Sequence, residues 1–264
     1  MCGIAGYSVD SRSGIDRTLA AQALLAGIAE RGADAVGLAF RLDEPQVVVH
    51  KQQTGASALL DALYLPPTTS QALVHVRDYT KGHPTIDANN HPIRHGAVVG
   101  IHNGIIENDD HLLEQHGIAR ATPEMTVDSE AIFALVDAYP GYARALEELR
   151  GALASAWLDE RQPETLYLAR GVGRPLWIGR GRHELFFAST RSALEVVARV
   201  LRLHLRFEEV PEGRLLHIVD ARVQRKERFR PDSSYVEDNV LPSVRAPQEG
   251  EWCLERLATT AALA

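Results

Sequence analysis

The sequence predicts a single-domain α+β fold, in layers of sheet and helix. Three observations carry this. Strand-like and helix-like segments come in clusters, not in strict βαβ alternation. No internal repeat is present. No low-complexity linker divides the chain before about Arg230. The chain has 264 residues, 45% of them hydrophobic and 24% charged, enough to bury a sizeable core.

The elements follow in order. Residues 3–9 are apolar and Gly-rich and read as a first strand. Leu19, Ala23, Leu24 and Ile28 recur at helical spacing within 16–32, and Gly32 supplies the stop. Strands at 36–40 and 47–51 flank a turn at Asp43, Glu44 and Pro45. Short apolar runs at 73–76 and 97–102 are further strands. Helices are expected at 129–139 and 142–149, separated by Pro140 and Gly141. A run of strands follows at 152–158, 165–169, 176–178 and 185–188. Leu194, Val197, Ala198 and Leu201 mark a helix over 191–201, and 210–219 holds a turn and the last strand pair. The basic run 222–230 reads as a solvated strand or tail. A final amphipathic helix is expected over 249–262, with Leu254, Leu257, Ala258 and Ala261 on one face.

Composition narrows the function. The net charge of −7 argues against a nucleic-acid surface. No run approaches the roughly 20 apolar residues that span a bilayer, so no membrane role is expected. The N-terminus lacks a secretory pattern. Two cysteines, Cys2 and Cys253, make no disulfide framework, and a reducing cytoplasm is the expected setting. Seven histidines fall between His75 and His116, but without zinc-ligand spacing, and no metal is expected. Close glycines in 171–182 lack the dinucleotide-binding pattern, and no P-loop is present; no cofactor is expected.

Cys2 carries the chemistry. By itself, a cysteine near a chain end reads most simply as a small buried apolar residue. Removal of Met1 changes that reading, because the new terminus carries a thiol and an α-amine on one residue. An amine with a reference pKa near ~7.7–8.0 can take the thiol proton and return it to a leaving group.

The chain resembles the class II glutamine amidotransferases, which are N-terminal-nucleophile hydrolases. The resemblance rests on CGIAGY at 2–7, RGADAVG at 31–37, VRDYTKGHPTIDANNHP at 76–92, HNGIIEN at 102–108 and TVDSEAI at 126–132, in the family's order. It covers roughly residues 2–219. HNGIIEN makes the glutaminase domain of glucosamine-6-phosphate synthases the nearest branch. The resemblance implies a four-layer αββα sandwich with two mostly antiparallel sheets. It assigns Cys2 as nucleophile, with Asn103 and Gly104 as oxyanion donors. It assigns Arg77 and Thr80 to the α-carboxylate of L-glutamine, Asp128 to its α-ammonium, and the position of Lys81 to the binding loop, largely through its backbone. The Lys81 ammonium offers a second cation, which favours a substrate with an extra acidic group such as a γ-glutamyl peptide. His83 and His91 flank loop positions and order the loop. Two departures stand out: Asp78-Tyr79 where the family has Trp-Ala, and Lys81 where it has His. Asp78 either shields Arg77 or points away from it. Asp128 also reads as an N-cap for the helix that follows.

The expected domains are a glutaminase domain over 2–230 and a C-terminal extension over 231–264. With no room for an ammonia-consuming domain, ammonia is expected to pass to a separate protein subunit or to be released. A stand-alone γ-glutamyl amide hydrolase and a non-catalytic binding module are the alternative readings.

Overall fold

A computed structural model describes residues 2–42, 45–139, 141–237 and 242–263. The turn expected at Asp43 and Glu44, and the helix break expected at Pro140, lie outside the described residues, as does Met1.

Two antiparallel sheets form the middle of the molecule. The first contains β1 (Gly3–Val9), β2 (Ala35–Arg41), β3 (Val47–Gln52), β4 (Gln71–Arg77), β9 (Trp177–Arg180), β10 (Glu184–Ala188) and β11 (Arg206–Glu209). Its order is β11-β9-β10-β1-β4-β2-β3, which places β1 at the centre. The second contains β5 (Ile93–His95), β6 (Val98–Ile106), β7 (Gly151–Asp159), β8 (Thr165–Arg170), β12 (Arg214–Val219) and β13 (Arg222–Arg228), in the order β13-β12-β8-β7-β6-β5.

Alternation along the strands builds the layers. Side chains two residues apart share a sheet face. Ile4 of β1, Leu73 of β4, Val99 and Ile101 of β6, and Ala154, Ala156 and Leu158 of β7 meet in the inter-sheet core. Ala5, Tyr7 and Val9 point the other way, into a core with the helices α1 (Arg17–Ile28), α6 (Arg191–Val200) and α7 (Pro247–Leu263). On the far side, Val98, Leu153 and Trp157 pack against α4 (Glu130–Ala138) and α5 (Tyr142–Leu146). The result is the four-layer αββα sandwich, helices outside and sheets face to face. Among the described residues, no helix is long and apolar enough to cross a membrane.

Local chemistry sets the helix ends. The Asp16 carboxylate accepts from Leu19 N at 2.9 Å and caps α1, and Thr190 caps α6 in the same way. In α7 the docking line is Cys253, Leu257 and Ala261, at i, i+4 and i+8; Leu254, expected on that face, is exposed. The helix turns about 100° per residue, so a line through Cys253 carries Leu254 away from the core.

Some elements escaped the sequence reading. α2 (Ala56–Leu60), α3 (Asp109–Gln115), β5 and β11 are short, and several are edge elements with few buried residues. The basic run is the edge strand β13, whose exposed arginines protect an open sheet edge.

Candidate active site

The sheet registers bring the sequence blocks together. Gly3 pairs with Val76, so Cys2, just ahead of β1, falls opposite Arg77, the last residue of β4, and next to Asp78. The Cys2 thiol therefore donates to the Asp78 carbonyl at 3.5 Å. Ala35 pairs with Arg77, and Asp34 N donates to the Arg77 carbonyl at 2.9 Å. The 31–37 block thus lies across β4 from the N-terminus. Gly32 is required at this junction, because a Cβ there would sit 2.4 Å from the Arg77 carbonyl.

Face assignment follows from the same alternation. Ile4, Leu73 and Ile101 are inner-face residues, so Cys2, His75, Arg77 and Asn103 continue the inner faces of their strands. The His75 Nε2 to His102 carbonyl bond, 3.2 Å, joins the two sheets beside Asn103. The His102 ring points outward instead, between Ser129 Oγ at 2.9 Å and the Ala152 carbonyl at 3.1 Å. Burial holds His75 and His102 near pKa about 3, so both rings are neutral at physiological pH. His91 stacks on His75 with ring centroids 4.2 Å apart, while His83 stays exposed and bonds Thr85 Oγ1. Among the described residues, no group of His, Cys, Asp or Glu side chains is arranged to hold a metal ion.

Asn103 is the most telling residue. It is 1% exposed, and neither its amide nitrogen nor its amide oxygen has a hydrogen-bond partner. Such a group costs roughly 1–3 kcal/mol unless something else engages it. Gly104, next in β6, has no room for a side chain: a Cβ would lie 1.9 Å from the Ala152 carbonyl oxygen.

Arg77 is 2% exposed and organises the loop after β4. Its Nη1 donates to Asn90 Oδ1, and its Nη2 donates to the carbonyls of Lys81 (2.9 Å) and Gly82. A guanidinium has five N–H groups, so Nε–H and one Nη1–H remain. Burial lowers its pKa, while Cys2 and Asp128 are the acidic neighbours that act most strongly to raise it.

Asp128 is not a helix cap, contrary to the sequence reading. Its Oδ2 accepts from Ile106 N of β6 at 2.7 Å, and the N-cap position of α4 is Ser129. Burial pushes Asp128 up to about 6. Lys81 bonds both Asp109 oxygens at 2.7 Å and Asp110 at 2.9 Å, so its ammonium is committed to α3. Thr80 stands exposed on the loop. Asp78 pairs with Arg245, Nε to Oδ2 3.2 Å, a partner the sequence did not suggest.

The thiol of Cys2 is pushed up by its withdrawal from water. A backbone hydrogen bond at Asp78 and the nearby Arg77 charge act in the opposite direction. Arg31 is a site residue the sequence reading missed. It is 2% exposed, its Nε donates to the Cys2 carbonyl at 3.0 Å, and its buried Nη2 lacks a partner. The signal was present, since Arg31 opens the 31–37 block.

The fold and the clustered residues define an N-terminal-nucleophile type of sandwich with a cysteine at the head of the central strand. The chain belongs to the class II glutamine amidotransferases. A family model described as "Glutamine amidotransferase domain" matches residues 81–196. The glutamine–fructose-6-phosphate aminotransferase (isomerizing) of Shigella flexneri is 34% identical over 231 residues, covering 83% of this chain and 35% of the relative. That of Bradyrhizobium diazoefficiens is 34% identical over 206 residues, covering 74% and 32%. The chain thus spans about a third of the length of these relatives. Among solved structures, a glutamine phosphoribosylpyrophosphate amidotransferase from B. subtilis, complexed with ADP and GMP, superposes with a TM-score of 0.69. It is 24% identical, over 86% of this chain and 49% of that one. A glutamine aminotransferase class-II domain protein from Silicibacter pomeroyi gives 0.55 at 20% identity, over 87% of this chain and all of that one.

Proposed function

We propose that this chain hydrolyses the side-chain amide of glutamine with Cys2 as nucleophile, after everything ahead of Cys2 is removed. The single observation that supports this most is the buried, unpartnered amide of Asn103 on the same inner faces as Cys2. A buried donor without a protein partner is what a developing oxyanion needs.

The steps balance without a cofactor. The α-amine of Cys2 takes the thiol proton as sulfur attacks the amide carbon. The Asn103 amide and the Gly104 N–H receive the oxyanion. Collapse breaks the C–N bond, the proton passes to nitrogen, and ammonia leaves a γ-glutamyl thioester. Water then attacks the thioester, giving glutamate and the free thiol. Arg77 offers its remaining N–H groups to the α-carboxylate, assisted by the Thr80 hydroxyl, and Asp128 receives the α-ammonium. Lys81 contributes through its backbone, since its ammonium is paired with Asp109 and Asp110. Ammonia then passes to a separate acceptor protein, and the cytoplasm is the expected compartment.

The first test is release of ammonia and glutamate in equal amounts from glutamine, with γ-glutamyl amides assayed beside it. A second follows from charge. Asp128→Ala and Arg77→Ala are each expected to raise KM for glutamine by about 10- to 150-fold, the value of a charge-assisted hydrogen bond. The pH dependence has a definite sign. Asp128 must be ionised to hold an ammonium, and burial raises its pKa to about 6. KM is therefore expected to rise below that pH, by about tenfold per unit, and this limb is expected to vanish in Asp128→Ala. Unchanged KM in both variants, for glutamine and γ-glutamyl amides alike, would remove Arg77 and Asp128 from the substrate site, and no turnover of either substrate by the wild type would favour a non-catalytic module.

A further inference from the structure

The C-terminal segment reaches Asp78, whose carbonyl accepts from the Cys2 thiol. The N–H groups of Arg245 and Ala246 both donate to the Glu30 carbonyl at 2.8 Å, one residue before Arg31. α7 then buries Cys253 and Leu257 in the α1 core. The Glu249 carboxylate accepts from Ser57 N at 2.8 Å and from Ser57 Oγ at 3.1 Å. The segment is fixed at both places, and the Arg245 guanidinium donates to Asp78, with Nε to Oδ2 at 3.2 Å and to Oδ1 at 3.4 Å.

Asp78 is the residue whose carbonyl accepts the Cys2 thiol proton. Its side chain is 16% exposed and that of Arg245 is 39% exposed. The neighbouring loop is held by Tyr79 N donating to Asp34 Oδ2 at 2.9 Å. An acid at this position faces two hazards. Its charge opposes formation of a thiolate at Cys2. It also lies next to Arg77, whose free N–H groups are the proposed carboxylate site. Arg245 counters both by offering the Asp78 carboxylate a cation other than Arg77.

We infer that Arg245 is a positioning residue for Cys2 and for the substrate site, acting through Asp78. The inference rests on Cys2 being the nucleophile. Its test uses the full chain and two readouts: kcat/KM for glutamine, and the rate of Cys2 alkylation by iodoacetamide without substrate. Arg245→Glu is expected to lower both about 5-fold, and Arg245→Lys to keep both within about twofold. Adding Asp78→Asn to Arg245→Glu is expected to restore both, because the acid that needed restraint is gone. A role in helix docking alone predicts no such rescue. If Arg245→Glu does not fold, Arg245→Gln with and without Asp78→Asn carries the same comparison. Unchanged rates in the Glu variant, or a loss that persists in the double variant, would overturn the inference. Activity surviving in Cys2→Ala would instead reject the nucleophile assignment, while the alkylation comparison would still report the coupling.

Discussion

Replacing Cys2 by alanine is expected to reduce glutamine hydrolysis by about 10⁶-fold, the scale seen when a covalent hydrolase loses its nucleophile. The size follows from the mechanism. Without sulfur there is no thioester, and the oxyanion donors and the binding groups are left with direct attack by water. Cys2→Ser is expected to be nearly as inactive, because an alkoxide is far harder to form than a thiolate. The fold should survive both changes. Cys2 is partly exposed, ahead of β1, and its recorded side-chain bond is the long one to the Asp78 carbonyl. Steady-state ammonia release, with a thermal melt of each variant, checks the expectation. Activity within tenfold of the wild type in Cys2→Ala would remove Cys2 from the chemistry.

Asn103→Ala is expected to lower kcat by about 10²–10³-fold with little change in KM. The reason lies in when the amide is used. Before attack, the substrate carbonyl is neutral and gains little from the donor. In the tetrahedral state the oxygen carries charge, and a preorganised donor in a water-poor site is worth several-fold more. The same variant is expected to melt no lower than the wild type. Removing an unpartnered buried amide relieves a desolvation cost, although it also leaves a small cavity. A rise in KM at constant kcat would make Asn103 a binding residue instead.

Much of the fold was legible because strand period and burial agree. The central strand β1 was read at its full length, since Ile4, Ala5, Tyr7 and Val9 are all buried, one face on each core. Pattern alone did not show the two sheets face to face; that came from the resemblance carried by the five motif blocks. The short elements were illegible for a physical reason. In α3, Leu112 and Leu113 supply the apolar burial, too little for a periodic signal. The blocks also marked Asn103, Gly104, Arg77 and Asp128 as candidates, because each sits in a motif whose residue types the proposed chemistry demands. What the sequence left out is long-range pairing. Arg245 meets Asp78 across 167 positions, and Lys81 pairs with Asp109 and Asp110. Neither partner leaves a periodic or local trace. Asp128 shows the same limit: its position before a helix suggested a cap, but the β6 strand supplied a nearer donor in Ile106 N.

The N-terminal nucleophile is tested most directly by trapping it. The active protein is incubated with a glutamine-like electrophile, and intact mass and peptide mapping then locate the adduct and the first residue. Cys253 serves as the internal control, because it is buried in the α1 core and its thiol is pushed up to about 12. The expected result is one adduct on Cys2, in a chain that begins at Cys2, with loss of activity in proportion to labelling. Full activity in a chain that retains residues ahead of Cys2, or inactivation that tracks an adduct on Cys253, would contradict the account.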